Sequence, residues 1–443
     1  MADLIQTAAD RLFMPWIVIL LMGSGLFLTL RFRLVQVTRF GEAARQMFVR
    51  QKTGEGALTP FQAFMTALAA SIGTGNIAGV ATAIVSGGPG ALFWIWCYGF
   101  VAMAIKFAEA VLGSQYRIIG GAKGGPTSGA SGPMYYLRDG LKSPALAWVY
   151  AAVAGVAALT TTPFTQPNSI AVVVNSQFGV PTLAVGIVLA ILTWAVIIGG
   201  IKSIGKAAEK LSPLKVSLYL IGGLIVIISN AARIPDVLAT VFREAFSTQA
   251  AIGTAHGVGV MVALRYGLAR GIYANEAGYG TAAVAYGTAA SKQPVQQGLN
   301  AVMEVFIVSF ITSTISAMVL LLTGAWQSGT TSSAAVAVAF NQSMPVVGGW
   351  IVAFCVFLFG YTTLIGWAYY GEQFLEYLLG RAVTVPYRWI YCLLIPFGAI
   401  ARVELVWAWG DLMNVLQVFP NMVGLIGLSG FVATVARARI ARQ

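Results

Sequence analysis

An eight-residue pattern, N-x-A-G-x-x-T-A, occurs twice in this chain, at 76–83 and again at 275–282. Each copy lies in a stretch apolar enough to cross a bilayer, yet each carries glycines and polar side chains where a lipid-facing helix would hold leucine. The first copy is preceded by the run Ala69-Ala70-Ser71-Ile72-Gly73-Thr74-Gly75. A glycine costs a helix interior about 1 kcal/mol relative to alanine, so two of them around Thr74 make local unwinding cheap. Unwinding frees backbone groups that lipid cannot satisfy, and something polar must then bind there. The half-helix that restarts offers open N–H groups and a positive dipole end, suited to a carboxylate. The carbonyls that end the preceding half suit a small cation. Close helix packing is the structural alternative for a G-x-G in a membrane helix.

The second copy adds Glu276 at mid-membrane depth, where an ionisable side chain costs roughly 2.5–3.5 kcal/mol and is rarely without a partner or a task. Arg265 and Arg270 lie in the same run. Glu276 is either clamped by Arg270 or another arginine, or is a direct ligand for an amino group or a cation. Gln166 and Asn168 flank Pro167, and Thr362 and Thr363 precede Gly366 and Trp367, all in apolar context. Adjacent threonine hydroxyls beside freed carbonyls are hard oxygen ligands of the kind sodium takes; back-bonding to their own helix is the other reading. Lys106 and Glu109, three apart, read as an internal ion pair. Glu304 reads as the partner of an intramembrane arginine, and His256 as an inert loop residue.

The elements that must position these groups follow from composition. Hydrophobic residues make up 58% of 443 positions and charged ones 9%, with a mean hydropathy of +0.79, so the chain is an all-α polytopic membrane protein. A spanning helix needs roughly 20 apolar residues. About eleven such runs are present, near 13–31, 61–85, 89–115, 144–177, 181–200, 212–230, 257–283, 298–323, 346–378, 386–401 and 411–435. They are continuously apolar, which excludes the period-two alternation of a membrane barrel. The first run follows Asp3, Asp10 and Arg11 and lacks the basic start of a secretory signal, so it reads as a retained helix. Cys97, Cys355 and Cys392 are too scattered for a disulfide framework or a metal cluster.

The net charge of +12 is distributed by side rather than gathered into a nucleic-acid patch. Arg31, Arg33, Arg39, Arg45, Arg50 and Lys52 follow the first run; Arg117, Lys123, Arg138 and Lys142 follow the third; Lys202, Lys206, Lys210 and Lys215 fill the fifth connection. By the positive-inside rule the amino terminus lies outside and the carboxyl tail is cytoplasmic, which an odd number of spans requires. Setting aside the first helix leaves ten spans, with the twin patterns in the first and sixth. That is a five-plus-five inverted repeat with two discontinuous helices. The expected divisions are 1–55 for the extra helix and basic loop, 56–230 and 231–435 for the two repeats, and 436–443 for the tail. The glycine-rich connection 119–133 is expected to be a mobile cytoplasmic loop; it lacks the G-K-[ST] and the preceding strand of a phosphate-binding loop.

The runs 72-IGTGNIAGVATAI-84, 87-GGPGALFWIW-96, 132-GPMYYL-137, 199-GGIKSIGKAAEKL-211, 269-ARGIYANEAGYGTA-282 and 367-WAYYGEQ-373 strongly resemble the sodium:alanine/glycine symporter family. The likeness extends over nearly the whole chain. It implies a fold like that of the bacterial leucine transporter with one extra amino-terminal helix. By that likeness Thr74 and Gly75 would contact a substrate carboxylate and Asn76 would lie next to substrate or ion. Gln166, Asn168, Asn275, Gly278 and Trp367 match positions expected in the substrate pocket, and the shared sodium site would draw on the carbonyls of Ala69 and Ile72 with the hydroxyls of Thr362 and Thr363. Glu276, Arg270 and Glu304 are polar positions of open role. Pro163 and Pro167 stand where members more often have glycine and alanine, Gly366 where serine is common, and Tyr286 where many carry histidine.

These readings converge on a symporter of the cytoplasmic membrane that imports a small neutral amino acid, alanine or glycine, with sodium co-transported. A proton-coupled amino-acid transporter, or sodium symport of another neutral amino acid such as glutamine, is the alternative. No rings of acidic or carbonyl-filter motifs support a channel. No nucleophile–base set, metal cluster or cofactor motif supports an enzyme. The expected partners are the amino acid, sodium and the bilayer, with no nucleic acid and no protein partner indicated.

Overall fold

A computed structural model describes Ile5, Thr7 and residues 11–48, 56–118, 129–247 and 259–440. Among these residues the regular structure is helical apart from one parallel bridge between Leu58 and Ala289. In chain order the main helices are α1 (Val18–Arg31), α2 (Pro60–Ser71), α3 (Ala78–Gly87), α4 (Ala91–Gln115), α5 (Pro144–Thr160), α6 (Thr162–Phe178), α7 (Thr182–Ile197) and α8 (Gly200–Ser229). They continue with α9 (Val260–Asn275), α10 (Thr281–Gly287), α11 (Pro294–Val305), α12 (Ser313–Thr323), α13 (Val347–Leu379), α14 (Thr384–Ile400) and α15 (Val403–Gly427).

Among the described residues six stretches are long and apolar enough to cross a membrane: Ala91–Gln115, Pro144–Phe178, Gly200–Ser229, Pro294–Thr323, Val347–Leu379 and Arg381–Ile400. Two bent pairs pass the same test, Pro60–Ser71 with Thr74–Gly87 at 60° and Val403–Gly427 with Ser429–Ala438 at 53°. Pro15–Arg31 and Thr182–Ile197 are shorter apolar helices. Exposed Ile187, Ile191, Ile228, Leu393 and Phe397 put large apolar side chains on the outer faces of α7, α8 and α14. Lipid, not water, is the solvent such faces require.

The two interrupted helices sit at the centre. α2 packs on α8, α10 and α13, and α9 packs on α3 and α4, while α6 and α5 also lie against α13. Small residues make these approaches possible: a Cβ on Gly366 of α13 would come within 2.9 Å of the Ala70 Cβ.

One expectation about a connection changes. The run expected to begin at 212 starts at Gly200, so the four lysines assigned to a loop belong to α8. Lys202, Lys206 and Lys210, at four-residue spacing, are exposed on one face. Lys215 breaks that spacing and lies on the other face, fully buried. Of the connection 119–133 only the end, 129–133, is described; there Ile118 N–H donates to Ala130 O, and the buried Ser131 hydroxyl donates to Val284 O. Residues 119–128 and His256 lie outside the described residues.

Candidate functional site

The first interruption is built from both directions. α2 starts at a capping box, in which the Thr59 hydroxyl accepts from Gln62 N–H and the Gln62 side chain accepts from Thr59 N–H, with Pro60 at the first helical position. The helix stops at Ser71, Gly73 is extended, and a single tight turn, Thr74–Asn76, leads into α3. Neither Gly73 nor Gly75 has a positive φ. Their lack of a side chain serves close approach instead. A Cβ on Gly73 would lie 2.6 Å from the Thr363 hydroxyl, and one on Gly75 would lie 2.6 Å from the Tyr273 ring.

The second interruption differs in kind. Glu276, Gly278 and Gly280 have φ of 57°, 94° and 85°, the left-handed region that glycine enters without steric cost and glutamate does not. The freed amides of Gly278 and Gly280 donate to one oxygen of Glu109 at 2.9 and 3.1 Å, and Asn421 Nδ2 donates to the same oxygen at 2.9 Å. Glu109 is thus an internal acceptor seated at the start of α10, where the helix dipole is positive. The Glu276 carboxylate accepts from the Trp367 indole N–H at 2.6 Å and from the Thr281 hydroxyl at 2.9 Å.

Three expected pairings are therefore corrected. Arg270 does not clamp Glu276; it pairs with Asp411 of α15 at 2.5 Å and lies 5.0 Å from the Trp407 ring centroid. Lys106 does not pair with Glu109, because Lys106 reaches α11 and bonds Glu304, while Glu109 reaches the second break. Glu304 has that lysine as its partner rather than an arginine, and the Tyr286 hydroxyl donates to its other oxygen at 2.9 Å.

Between the two breaks lies a narrow cavity lined by Gly73, Gly75, Gln166, Glu276, Thr363 and Trp367 among the residues singled out in sequence. Ser71, Thr161, Thr162, Tyr273, Tyr279 and Asn414 line it as well and were not foreseen. Of these Tyr273 and Tyr279 lay inside the recognised run 269–282 and Ser71 inside the run 69–75, and Thr161 and Thr162 could have been suspected as polar groups beside Pro163. Gln166 holds the first break: its side-chain oxygen accepts from Thr74 N–H and from the Thr74 hydroxyl, each at 3.0 Å. Asn76 spans the same break, donating to Ser71 O at 3.0 Å.

Other expected ligands face elsewhere. Asn168 donates to the carbonyls of Gly398 and Ala401, tying α6 to the end of α14. Asn275 accepts from Ala277 N–H and donates to Ser309, which shapes the turn after α9. Gly278 is engaged by Glu109 and Asn421.

The four residues implied for sodium come together, with an occupant. The carbonyls of Ala69 and Ile72 and the Thr362 hydroxyl all accept from Lys215 Nζ, at 3.0, 2.6 and 2.6 Å. Thr363 donates to Ala70 O at 2.8 Å and to Ala69 O at 3.2 Å, bracing the same helix end. An ammonium from α8 thus stands at the negative end of α2, where carbonyls have no partner within their own helix.

Comparison with known proteins assigns the chain to a family. The profile of the sodium:alanine symporter family matches residues 1–441. The chain is 40% identical over 446 residues to the sodium/alanine symporter AgcS of Methanococcus maripaludis, covering 98% of this chain and 96% of that protein. It is 33% identical over 438 residues to a Bacillus subtilis protein named as a probable sodium/glutamine symporter, GlnT, covering 97% of this chain and 89% of that one. A solved manganese transporter from Eremococcus coleocola superposes with a TM-score of 0.55 at 14% identity, over 83% of this chain and 78% of its own, which is likeness of fold. With the match running almost end to end, the chain belongs to the sodium:alanine symporter family, and is a membrane transporter rather than an enzyme.

Proposed function

We infer that this transporter takes up a small neutral amino acid, alanine or glycine first, across the cytoplasmic membrane by alternating access. One observation carries the reading: a single cavity has the restarting turn Thr74–Asn76 on one wall and the Glu276 carboxylate on another. A zwitterion needs both. Its carboxylate would take the amides at Thr74 and Gly75, displacing the Gln166 oxygen that accepts there, and its ammonium would face Glu276. The cavity is narrow and walled by aromatic rings. Tyr273, Tyr279 and Trp367 leave little room for a long side chain, which favours alanine and glycine over glutamine.

In this reading the chain crosses the bilayer eleven times as five plus five inverted helices after one extra, with a cytoplasmic carboxyl tail. Asn168, Asn275 and Gly278 hold the framework of the site without touching substrate, and Asn76 spans the break beside it. Rocking of the bundle that contains both broken helices would open the cavity to each side in turn. Sodium is the ion of the family's name, and each charge moving down the membrane potential would supply about 2.3 kcal/mol per 100 mV. A second reading, favoured by the Lys215 ammonium among the expected sodium ligands, needs no sodium at those four residues.

The test is uptake of radiolabelled alanine, glycine and glutamine into proteoliposomes, in sodium and in choline medium. Saturable uptake of alanine or glycine, with glutamine weaker, is expected. Absence of uptake and of exchange for every small neutral amino acid in both media would defeat the transport reading.

A further inference from the structure

A buried lysine is costly unless its charge is met. Lys215 is fully buried, and Nζ meets three oxygens at hydrogen-bond distance, the Ala69 and Ile72 carbonyls and the Thr362 hydroxyl; the Leu68 carbonyl lies 3.5 Å away. Three donors and three close oxygens leave no proton of the ammonium unused. The Phe359 ring closes the other side, its centroid 5.4 Å from Nζ. Carbonyls at a helix end plus a threonine hydroxyl are the oxygen set that a small hard cation would take.

The surroundings give this ammonium no competing role. α2 and α12, both packed on α8, carry no charged residue, and neither do α7 and the helix Ser332–Ser343. On α13 the acidic residues are Glu372 and Glu376, at least ten positions along from Thr362, and Glu372 is bound by Arg388. On α8 itself Lys202, Lys206 and Lys210 point outward, and Glu209 accepts from Gln62. The Glu276 carboxylate is engaged by the Trp367 indole and the Thr281 hydroxyl.

We propose that Lys215 is a tethered cation that permanently replaces a sodium ion between the end of α2 and Thr362 of α13, so that this site takes no sodium in this member of the family. The ammonium does the ion's structural work: it holds the broken helix end against the α13 face by binding oxygens of both. The proposal deepens the transport reading above, since it concerns the ion side of the same site. A free ion can leave when the site opens and so couple a gradient to the substrate; a tethered ammonium cannot.

The test reads sodium directly and needs no amino acid, so it stands apart from the substrate assignment. Binding of radioactive sodium is measured on the purified full chain, with thermal unfolding followed in sodium and in choline chloride. Wild type and Thr362→Val are expected to bind the same amount of sodium, whether none or an amount held elsewhere. Lys215→Ala, which opens the oxygen set, is expected to bind one more sodium per chain and to gain thermal stability in sodium but not in choline. The double variant Lys215→Ala/Thr362→Val should lose that gain. Wild-type sodium binding that Thr362→Val removes would overturn the proposal, as would a folded Lys215→Ala that gains no sodium. If Lys215→Ala does not fold, wild type against Thr362→Val still decides.

Discussion

Replacing Glu109 tests whether the second break is held by an internal hydrogen-bond acceptor. One oxygen of this fully buried carboxylate accepts from Gly278 N–H, Gly280 N–H and Asn421 Nδ2. Glu109→Leu leaves the two backbone amides without an acceptor, at about 1–3 kcal/mol each. Asn421 keeps the Gly278 carbonyl as a partner, so its loss is partial. A total of about 2–6 kcal/mol is a large share of the roughly 5–15 kcal/mol that separates folded from unfolded protein. Glu109→Gln retains an acceptor at the same place, so the two backbone amides stay paired; what remains is its amide nitrogen, buried where the second oxygen has no hydrogen-bond partner, at about 1 kcal/mol. Thermal unfolding of the detergent-purified chain should therefore rank wild type and Glu109→Gln close together with Glu109→Leu far below, and Glu109→Gln should still bind alanine. If Glu109→Leu unfolds with wild type, the amides have another acceptor. If Glu109→Gln is as damaged as Glu109→Leu, negative charge rather than an acceptor holds the break.

Glu276→Gln keeps an acceptor for Trp367 and a polar partner for Thr281, so folding is expected to survive; loss of the charge opposite a substrate ammonium should weaken amino-acid binding at least about tenfold, or about 1.4 kcal/mol, by calorimetry or thermal shift. Unchanged affinity would remove Glu276 from the substrate's surroundings. Gln166→Glu places a tethered carboxylate on the Thr74 amide and is expected to block substrate binding in a purified, folded protein, whereas Gln166→Leu leaves the amide free and retains binding. Equal binding by both variants would place the substrate carboxylate elsewhere. Gly75→Ala drives a methyl group to 2.6 Å from the Tyr273 ring and should abolish uptake, with partial return in Gly75→Ala/Tyr273→Ala, which removes the ring. Asp411→Asn leaves Arg270 without its ion pair in a partly buried setting; a loss of about 1–3 kcal/mol in unfolding stability is expected, and no loss would show that stacking on Trp407 alone holds the guanidinium.

The positions of the breaks were readable before any tertiary contact was known. Glycines around Thr74, and glycines after Glu276, are a local departure from helix-forming composition, and helix cost is a local quantity. The glycines act differently at the two places, for close approach at Gly73 and Gly75 and for positive φ at Gly278 and Gly280, and only backbone angles separate these cases. Thr363 bonds the carbonyls of Ala69 and Ala70 at the end of the helix before the first break, and Thr362 meets Lys215 there.

The partners of the buried charges were not readable. Lys106 and Glu109 are three apart on one helix, yet each meets a different element, Glu304 on α11 and the backbone after α9. Lys215 counted as one more cytoplasmic lysine until the phase of α8 turned it inward. Its nearest carbonyls belong to residues more than 140 positions earlier in the chain.

The sequence by itself determined that this chain lives in a bilayer, breaks its helices at 72–76 and 276–280, and carries polar groups at both places, because hydropathy and glycine content act over one or two helical turns. Only the tertiary structure decided which charge meets which acceptor. A buried charge takes the partner that helix packing brings within about 3 Å, and that choice is made by the phase and crossing of helices far apart in sequence.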